Sequence, residues 1–164
     1  PVKRDGASLG EVFFKGNIIM KGYLNNEPAN KAAFKKGWFH TGDLAVRHED
    51  GYIELKDRSK DIIISGGENI SSIEIEKIIM KHPAVKDCAV IGIKDQKWGE
   101  VPCAFVEKND TSLTSDLILK FCKKHLAGFK MPKKIIFQSL PRTSTGKIQK
   151  YNLRKIAIEN NAKI

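Results

Sequence analysis

The residue pattern predicts an α+β architecture in two parts. A small C-terminal domain with a short antiparallel sheet and flanking helices is preceded by an antiparallel β piece that reads as the end of a larger N-terminal domain. Three observations point there. Short apolar, β-branched runs occur on both sides of residues 57–61; two amphipathic helical stripes occur only after them; and the five residues between, Asp57-Arg58-Ser59-Lys60-Asp61, are nearly all charged. Charges at that density resist burial without partners, so this segment is expected at the surface as a hinge between 1–56 and 62–164.

Before the hinge the chain reads as strands without helices to cover them. Residues 10–20 are expected to form two short strands around Gly16-Asn17, and 52–56 alternates as a strand after the turn signal Glu49-Asp50-Gly51. Residues 30–34 suggest a helical turn, closed by Lys35-Lys36-Gly37. After the hinge, Ile62-Ile63-Ile64 suits a strand, and Gly66-Gly67 permits positive φ or a close ligand approach. Ser71 starts a helix with Glu74 as capping partner; Ile75, Ile78, Ile79 and His82 share its apolar face, and Pro83 stops it. Residues 85–93 and 101–106 predict two strands joined by a turn that holds Trp98-Gly99-Glu100. Thr114 caps a second helix with Asp116 in its first turn, Leu117, Ile118, Phe121, Cys122 and His125 form its stripe, and Gly128 ends it. Ile135-Ile136-Phe137 adds a strand, and 152–160 a closing helix through Leu153, Ile156 and Ala157.

Composition narrows the function classes. No apolar run approaches the roughly 20 residues of a membrane helix. The opening Pro1-Val2-Lys3-Arg4-Asp5-Gly6 has no apolar leader core, so a cytoplasmic protein without an integral membrane segment is expected. Cys88, Cys103 and Cys122 have apolar neighbours and read as core thiols, while His40, His48, His82 and His125 are scattered with no metal-ligand spacing. The net charge of +10 is local: eleven of the 29 Lys and Arg residues, and no acid, lie in 117–158, leaving 18 basic against 19 acidic residues elsewhere. Such a patch suits nucleic acid, a small phosphate-rich ligand, or water alone. The absence of clustered aromatics in that stretch argues against nucleic acid.

The order of the motifs is more specific than charge. Met20-Lys21-Gly22-Tyr23-Leu24, Gly37-Trp38-Phe39-His40-Thr41-Gly42-Asp43, Gly51-Tyr52-Ile53-Glu54 and Asp57-Arg58 follow one another, then Ser65-Gly66-Gly67-Glu68-Asn69-Ile70 and Pro141-Arg142-Thr143-Ser144-Thr145-Gly146-Lys147. Order and separations resemble the C-terminal portion of the adenylate-forming, AMP-binding enzymes, and the Gly-Gly-Glu-Asn-Ile segment most resembles the acyl-CoA synthetase branch. Taken singly, Thr-Gly-Asp is a common turn, Lys60 an ordinary surface lysine, and the Lys147 segment a flexible, hydroxyl-rich basic loop.

The resemblance implies roles. Asp43 would accept hydrogen bonds from the ribose hydroxyls of ATP, as an acceptor-only carboxylate can, and Arg58 would contact the same ribose. Lys60 would be the hinge, and Lys147 the catalytic lysine that binds the nucleotide. Ser65, Gly66 and Gly67 would line the passage for CoA. Trp98 would either stack on the adenine of CoA or cover a core edge. Lys133 would meet the CoA phosphates, with Met131 standing where some relatives have arginine.

The implied reaction has two steps at one site. A carboxylate attacks the α-phosphate of ATP, pyrophosphate leaves, and Lys147 stabilises the developing charge. The small domain then turns about Lys60, Lys147 withdraws, and the 65–67 loop arrives for the CoA thiol. ATP, CoA and a small carboxylic acid, fatty or otherwise of short to medium length, are thus the expected substrates. Mg²⁺ is expected with ATP, its ligand lying in the N-terminal domain of the same enzyme, which is the expected partner. Other readings are an amino-acid adenylation or luciferase-like member of the superfamily, and a basic nucleic-acid-binding module.

Overall fold

Two compact units, Pro1–Lys60 and Asp61–Ile164, divide the computed structural model. The structure describes residues 1–161, with side chains through Glu159, so the last residues of the expected 62–164 domain lie outside the described residues.

The first unit is a four-stranded antiparallel sheet built on one long strand. β1 (Gly10–Phe14) lies along one edge of β3 (Trp38–Arg47); β2 (Phe34–Lys35) pairs with the start of β3, and β4 (Ile53–Arg58) with its end. Lys36 and Gly37 join β2 to β3 as a two-residue turn with φ of 54° and 75°, the left-handed pair that suits strand twist. α1 (Glu27–Ala33) starts earlier than the pattern suggested, because Asn26 accepts from the Ala29 N–H and Pro28 fits the first turn. The expected second strand within 10–20 does not form. Gly16 accepts from the Ile19 N–H in a turn and Ile18 is 93% exposed, since β1 takes its ladder from β3 and not from its sequence neighbour.

The charged segment is only partly at the surface. Asp57 is buried in β4, where its carboxylate accepts the Arg58 N–H at 2.7 Å; Asp61 is buried with Arg154 at 2.6 Å. Each buried carboxylate accepts a hydrogen bond, which is the condition under which charge tolerates burial.

In the second unit β5 (Ile63–Ser65), β6 (Glu68–Ile70), β7 (Val85–Asp95) and β8 (Gly99–Lys108) run antiparallel in the order β6-β5-β8-β7, and β9 (Lys134–Phe137) joins β8 in parallel. The run Cys88-Ala89-Val90-Ile91 is apolar at every position because both faces of the sheet are covered. Cys88 and Val90, with Ala104 and Val106, pack against Ile75 and Ile79 of α2 (Ser72–Ile79) and Ile118 of α3 (Ser115–Lys123). Ala89 and Ile91, with Cys103 and Phe105, pack against Leu153 and Ala157 of α4 (Lys150–Asn161). Phe105 is fully buried, a contribution of about 2–3 kcal/mol by area.

Ser71 accepts from the Glu74 N–H at 3.3 Å and Thr114 from the Leu117 N–H at 3.4 Å, so both predicted caps form. His82 lies past the end of α2 and meets Phe121 edge-on at 5.2 Å. α3 ends at Lys123, before Gly128, which instead opens a single 3₁₀ turn, Gly128–Lys130. The three cysteines are buried free thiols. Burial pushes Cys103 up to about 12 and Cys122 to about 11, which makes them poor nucleophiles.

Candidate functional site

In the first unit Thr41-Gly42-Asp43 is a bulge inside β3 and not a turn between strands. From the pair Phe13↔His40 to the pair Glu11↔Leu44, β1 moves two residues while β3 moves four, so the segment is thrown out of the ladder. Hydrogen bonds fix its shape. Thr41 Oγ1 donates to the Val12 carbonyl at 2.8 Å, and the Asp43 N–H donates to Thr41 Oγ1 at 3.0 Å. The Gly42 N–H donates to the Glu11 carboxylate at 2.9 Å, while the Gly42 carbonyl accepts from the Ser59 N–H at 2.8 Å. At φ +73° the central residue has to be glycine to avoid strain.

The bulge sets Asp43 opposite Arg58 of β4, whose Nε donates to Asp43 Oδ1 at 3.0 Å. This pair is open to solvent and contributes at most about 1 kcal/mol to stability. Side by side at the rim, a carboxylate acceptor and a guanidinium donor can engage a vicinal diol. Glu11 and His40, whose Nδ1 lies 3.4 Å from the other Glu11 oxygen, support the bulge from β1 and β3. Sequence reasoning missed both; a lone Gly10-Glu11 at a strand start was the only local signal.

In the second unit Gly66 and Gly67 form a two-residue hairpin between β5 and β6, with φ of 60° and 87°. The sequence suggested strand, glycines, then helix; the short β6 intervenes. Beside this hairpin is a cleft of about 350 Å³ lined by Ser65, Gly66, Glu68, Trp98, Gly128, Phe129 and Lys133. It gathers four of the residues proposed for CoA, while Gly67 sits at the hairpin tip.

Trp98 and Gly66 are matched. The Gly66 N–H donates to the Trp98 carbonyl at 2.8 Å, and a Cβ on Gly66 would stand 2.9 Å from Trp98 Cε3. The indole therefore covers the glycine backbone, yet stays 44% exposed, with Lys97 Nζ 4.7 Å from its ring centroid. Asp95 holds the turn by accepting the Lys97 and Trp98 N–H groups at 2.9 and 2.8 Å. Lys130 is tied to Glu74 at 2.7 Å, whereas Lys133 is exposed and lines the cleft.

Lys147 sits on a hydrogen-bonded hairpin. Its carbonyl accepts from the Thr143 N–H at 2.8 Å, its own N–H donates to Thr143 Oγ1 at 3.1 Å, and Arg142 bridges to Ile148 in an antiparallel pair. The side chain itself is exposed and, among the described residues, its ammonium pairs with no carboxylate. Behind the hairpin Arg142 pairs with Asp87, which holds the guanidinium above its ordinary pKa. Lys60 is the last residue of the first unit. Among the described residues no three His, Cys, Asp or Glu side chains gather as a metal cage requires.

Residues 74–147 match the family described as AMP-binding enzyme C-terminal domain. An acetate–CoA ligase of Humulus lupulus is 52% identical over 168 residues, a match covering 99% of this chain and 30% of the relative. Residues 74–147 are thus an AMP-binding enzyme C-terminal domain, and nearly the whole chain is similar to CoA ligases. Within the AMP-binding enzymes, a peroxisomal acetate/butyrate–CoA ligase of Arabidopsis thaliana is 53% identical over 97% of this chain and 29% of its own length. The o-succinylbenzoate CoA synthetase of Bacillus subtilis, solved with its acyl-adenylate intermediate, superposes with a TM-score of 0.83 at 38% identity, over 92% of this chain and 31% of that one. The α+β architecture is thus that of the C-terminal portion of these AMP-binding enzymes, and the chain spans about 30% of the relatives' length.

Proposed function

We propose that this chain is the C-terminal part of an ATP-dependent carboxylate–CoA ligase, that 57–61 is its hinge, and that 62–164 is a lid serving two half-reactions. One observation carries the reading: a single small unit presents both a lysine on a hydrogen-bonded hairpin, paired with no carboxylate among the described residues, and, separately, a glycine-backed cleft with an indole and a lysine at its rim.

In the first half-reaction a carboxylate oxygen bonds to the α-phosphorus of ATP, the bond to pyrophosphate breaks, and negative charge spreads over the phosphoryl oxygens. The Lys147 ammonium stabilises that charge, while Asp43 and Arg58 bind the ribose hydroxyls. In the second the CoA sulfur bonds to the acyl carbon and AMP leaves. Lys60 is the pivot between the two arrangements. The Ser65-Gly66-Gly67 hairpin lets the pantetheine arm run against backbone, Trp98 stacks on adenine, and Lys133 pairs with phosphate.

Mg²⁺ accompanies ATP in this reading, held by the phosphates and by a ligand that we assign to the large N-terminal domain. That domain is the partner that completes the site. Acetate and butyrate, named for two similar ligases, are the proposed substrates, and cinnamate and benzoate, named for two others, are their competitors. Among the described residues no helix is long and apolar enough to cross a membrane. The cytoplasm is the proposed compartment, and the peroxisome named for the Arabidopsis relative is its competitor.

The test is product analysis. The full-length enzyme with ATP, Mg²⁺, acetate or butyrate, and CoA is expected to yield AMP, pyrophosphate and the acyl-CoA. The isolated chain is expected to release no pyrophosphate. An acyl-adenylate that forms but is never passed to CoA would move the protein to another branch of the superfamily.

A further inference from the structure

A lysine that must meet a transferring phosphoryl group needs a defined approach, and the direction of a side chain is set by the peptide planes flanking its Cα. The peptide joining Gly146 to Lys147 is held at both ends. Its carbonyl oxygen accepts from Arg142 Nη1 at 3.1 Å, and its N–H donates to Thr143 Oγ1 at 3.1 Å. Gly146 has φ +84°, and glycine has the widest choice of backbone conformation, so this plane would turn easily if either end were released.

Arg142 is in turn anchored to the sheet. Its Nη2 donates to the carboxylate of Asp87 on β7 and lies 3.9 Å from Glu107 on β8. Glu107 also accepts the Leu140 N–H at 2.5 Å, which fixes the chain just before the hairpin. The path from the covered core to the reactive lysine therefore runs from sheet to acid pair, to guanidinium, to the Gly146 carbonyl, to the Lys147 peptide. A lysine at 142 could keep the ion pair with Asp87 but lacks the forked donor set that serves Asp87 and Gly146 together.

We propose that Arg142, anchored on Asp87, is a positioning residue for Lys147: by holding the Gly146 carbonyl it sets the plane from which the catalytic side chain departs. The inference rests on the ligase reading of Lys147, and the two are tested together in the full-length enzyme. Two rates are measured: pyrophosphate release from ATP and acid at saturation, and thioester formation from supplied acyl-adenylate and CoA.

Arg142→Ala is expected to slow the first, mainly in kcat, by about 100-fold, the scale of an ångström-level misplacement. It leaves the second within about twofold, because Arg142 is not among the residues lining the cleft. Arg142→Lys, which keeps the Asp87 pair but loses the Gly146 bond, and Asp87→Asn, which weakens the anchor, are expected to slow the first rate less than Arg142→Ala and to spare the second, and they serve as the reading if the alanine variant fails to fold. An equal loss of both rates, or no loss of either, overturns the proposal. Lys147→Ala run alongside separates the two failures. If that variant shows no preferential loss of adenylation, the ligase role of the lysine falls; if it does and Arg142→Ala does not, only the positioning role falls.

Discussion

Asp61–Ile164 covers its central strands on both faces, with Phe105, Ile91 and Leu153 on one side and Val90, Ile75 and Ile118 on the other, all fully buried. In Pro1–Lys60 only Ala45 and Val46 among the apolar residues are buried, while Phe13, Phe14, Trp38, Ile53 and Leu55 remain exposed. The second unit holds its functional loops on a closed core. The first shapes its Asp43 bulge with hydrogen bonds from Glu11, Val12 and Ser59, and leaves apolar surface of the kind another packed body covers. The lesson is that the second unit buries a core of its own, whereas the first is shaped mainly by its strand ladder and local hydrogen bonds and keeps most of its apolar side chains exposed.

The largest expected effect comes from separating the units. Residues 61–164 expressed alone should melt cooperatively and give a dispersed amide spectrum, while residues 1–60 should give neither. A cooperative melt of 1–60 would erase the contrast. Next, Phe105→Ala in 61–164 should cost about 3–5 kcal/mol by denaturant titration. Phe13→Ala, at a position 43% exposed, should change the stability of the full chain by less than about 0.5 kcal/mol. Comparable losses at both positions would mean that the first unit has a core of its own.

A smaller effect is expected at the hairpin. Gly66→Ala forces a side chain into φ +60° and to 2.9 Å from the indole, at a cost of about 1–3 kcal/mol. It should also weaken CoA binding in calorimetry on the full-length enzyme, by displacing Trp98. Unchanged affinity would remove Trp98 and Gly66 from the proposed CoA site.

The smallest is a pH effect confined to the unit with cysteines. The native thiols of Cys103 and Cys122 are pushed up to about 12 and 11, so as pH rises past the ordinary thiol value of 9.0 the unfolded chain loses protons that the native one keeps. Stability contributed by these groups is fully present below 9.0 and falls as pH climbs towards 11. Melting of 61–164 at about pH 8 and about pH 10.5 should show the decline, and Cys122→Ala should make it shallower.

Periodicity made the second unit readable. The apolar run within 85–93, the stripe through Ile75 and Ile79, and the caps at Ser71 and Thr114 are local signals, and the strand, the buried helix face and the caps formed as expected. What escaped is either too short to show a pattern or depends on distant partners. β6 is three residues beginning with a glutamate, too short to show alternation, and exists because it pairs with β5 across two glycines. The bulge at Thr41-Gly42-Asp43 requires Glu11, thirty-one residues from Gly42, and the burial of Asp61 requires Arg154, ninety-three residues away. Arg142 was visible as part of a motif, but its bond to Asp87 spans fifty-five residues and leaves no trace in spacing.

The central claim is that the second unit brings Lys147 to the nucleotide for one half-reaction only. It is tested most directly by assaying Lys147→Ala in the full-length enzyme for both half-reactions. The account predicts a fall in adenylation of about 100- to 1,000-fold, the range for removing one preorganised charge-stabilising group, with thioester formation from supplied acyl-adenylate unchanged. Retained adenylation, or an equal collapse of both steps, would contradict it.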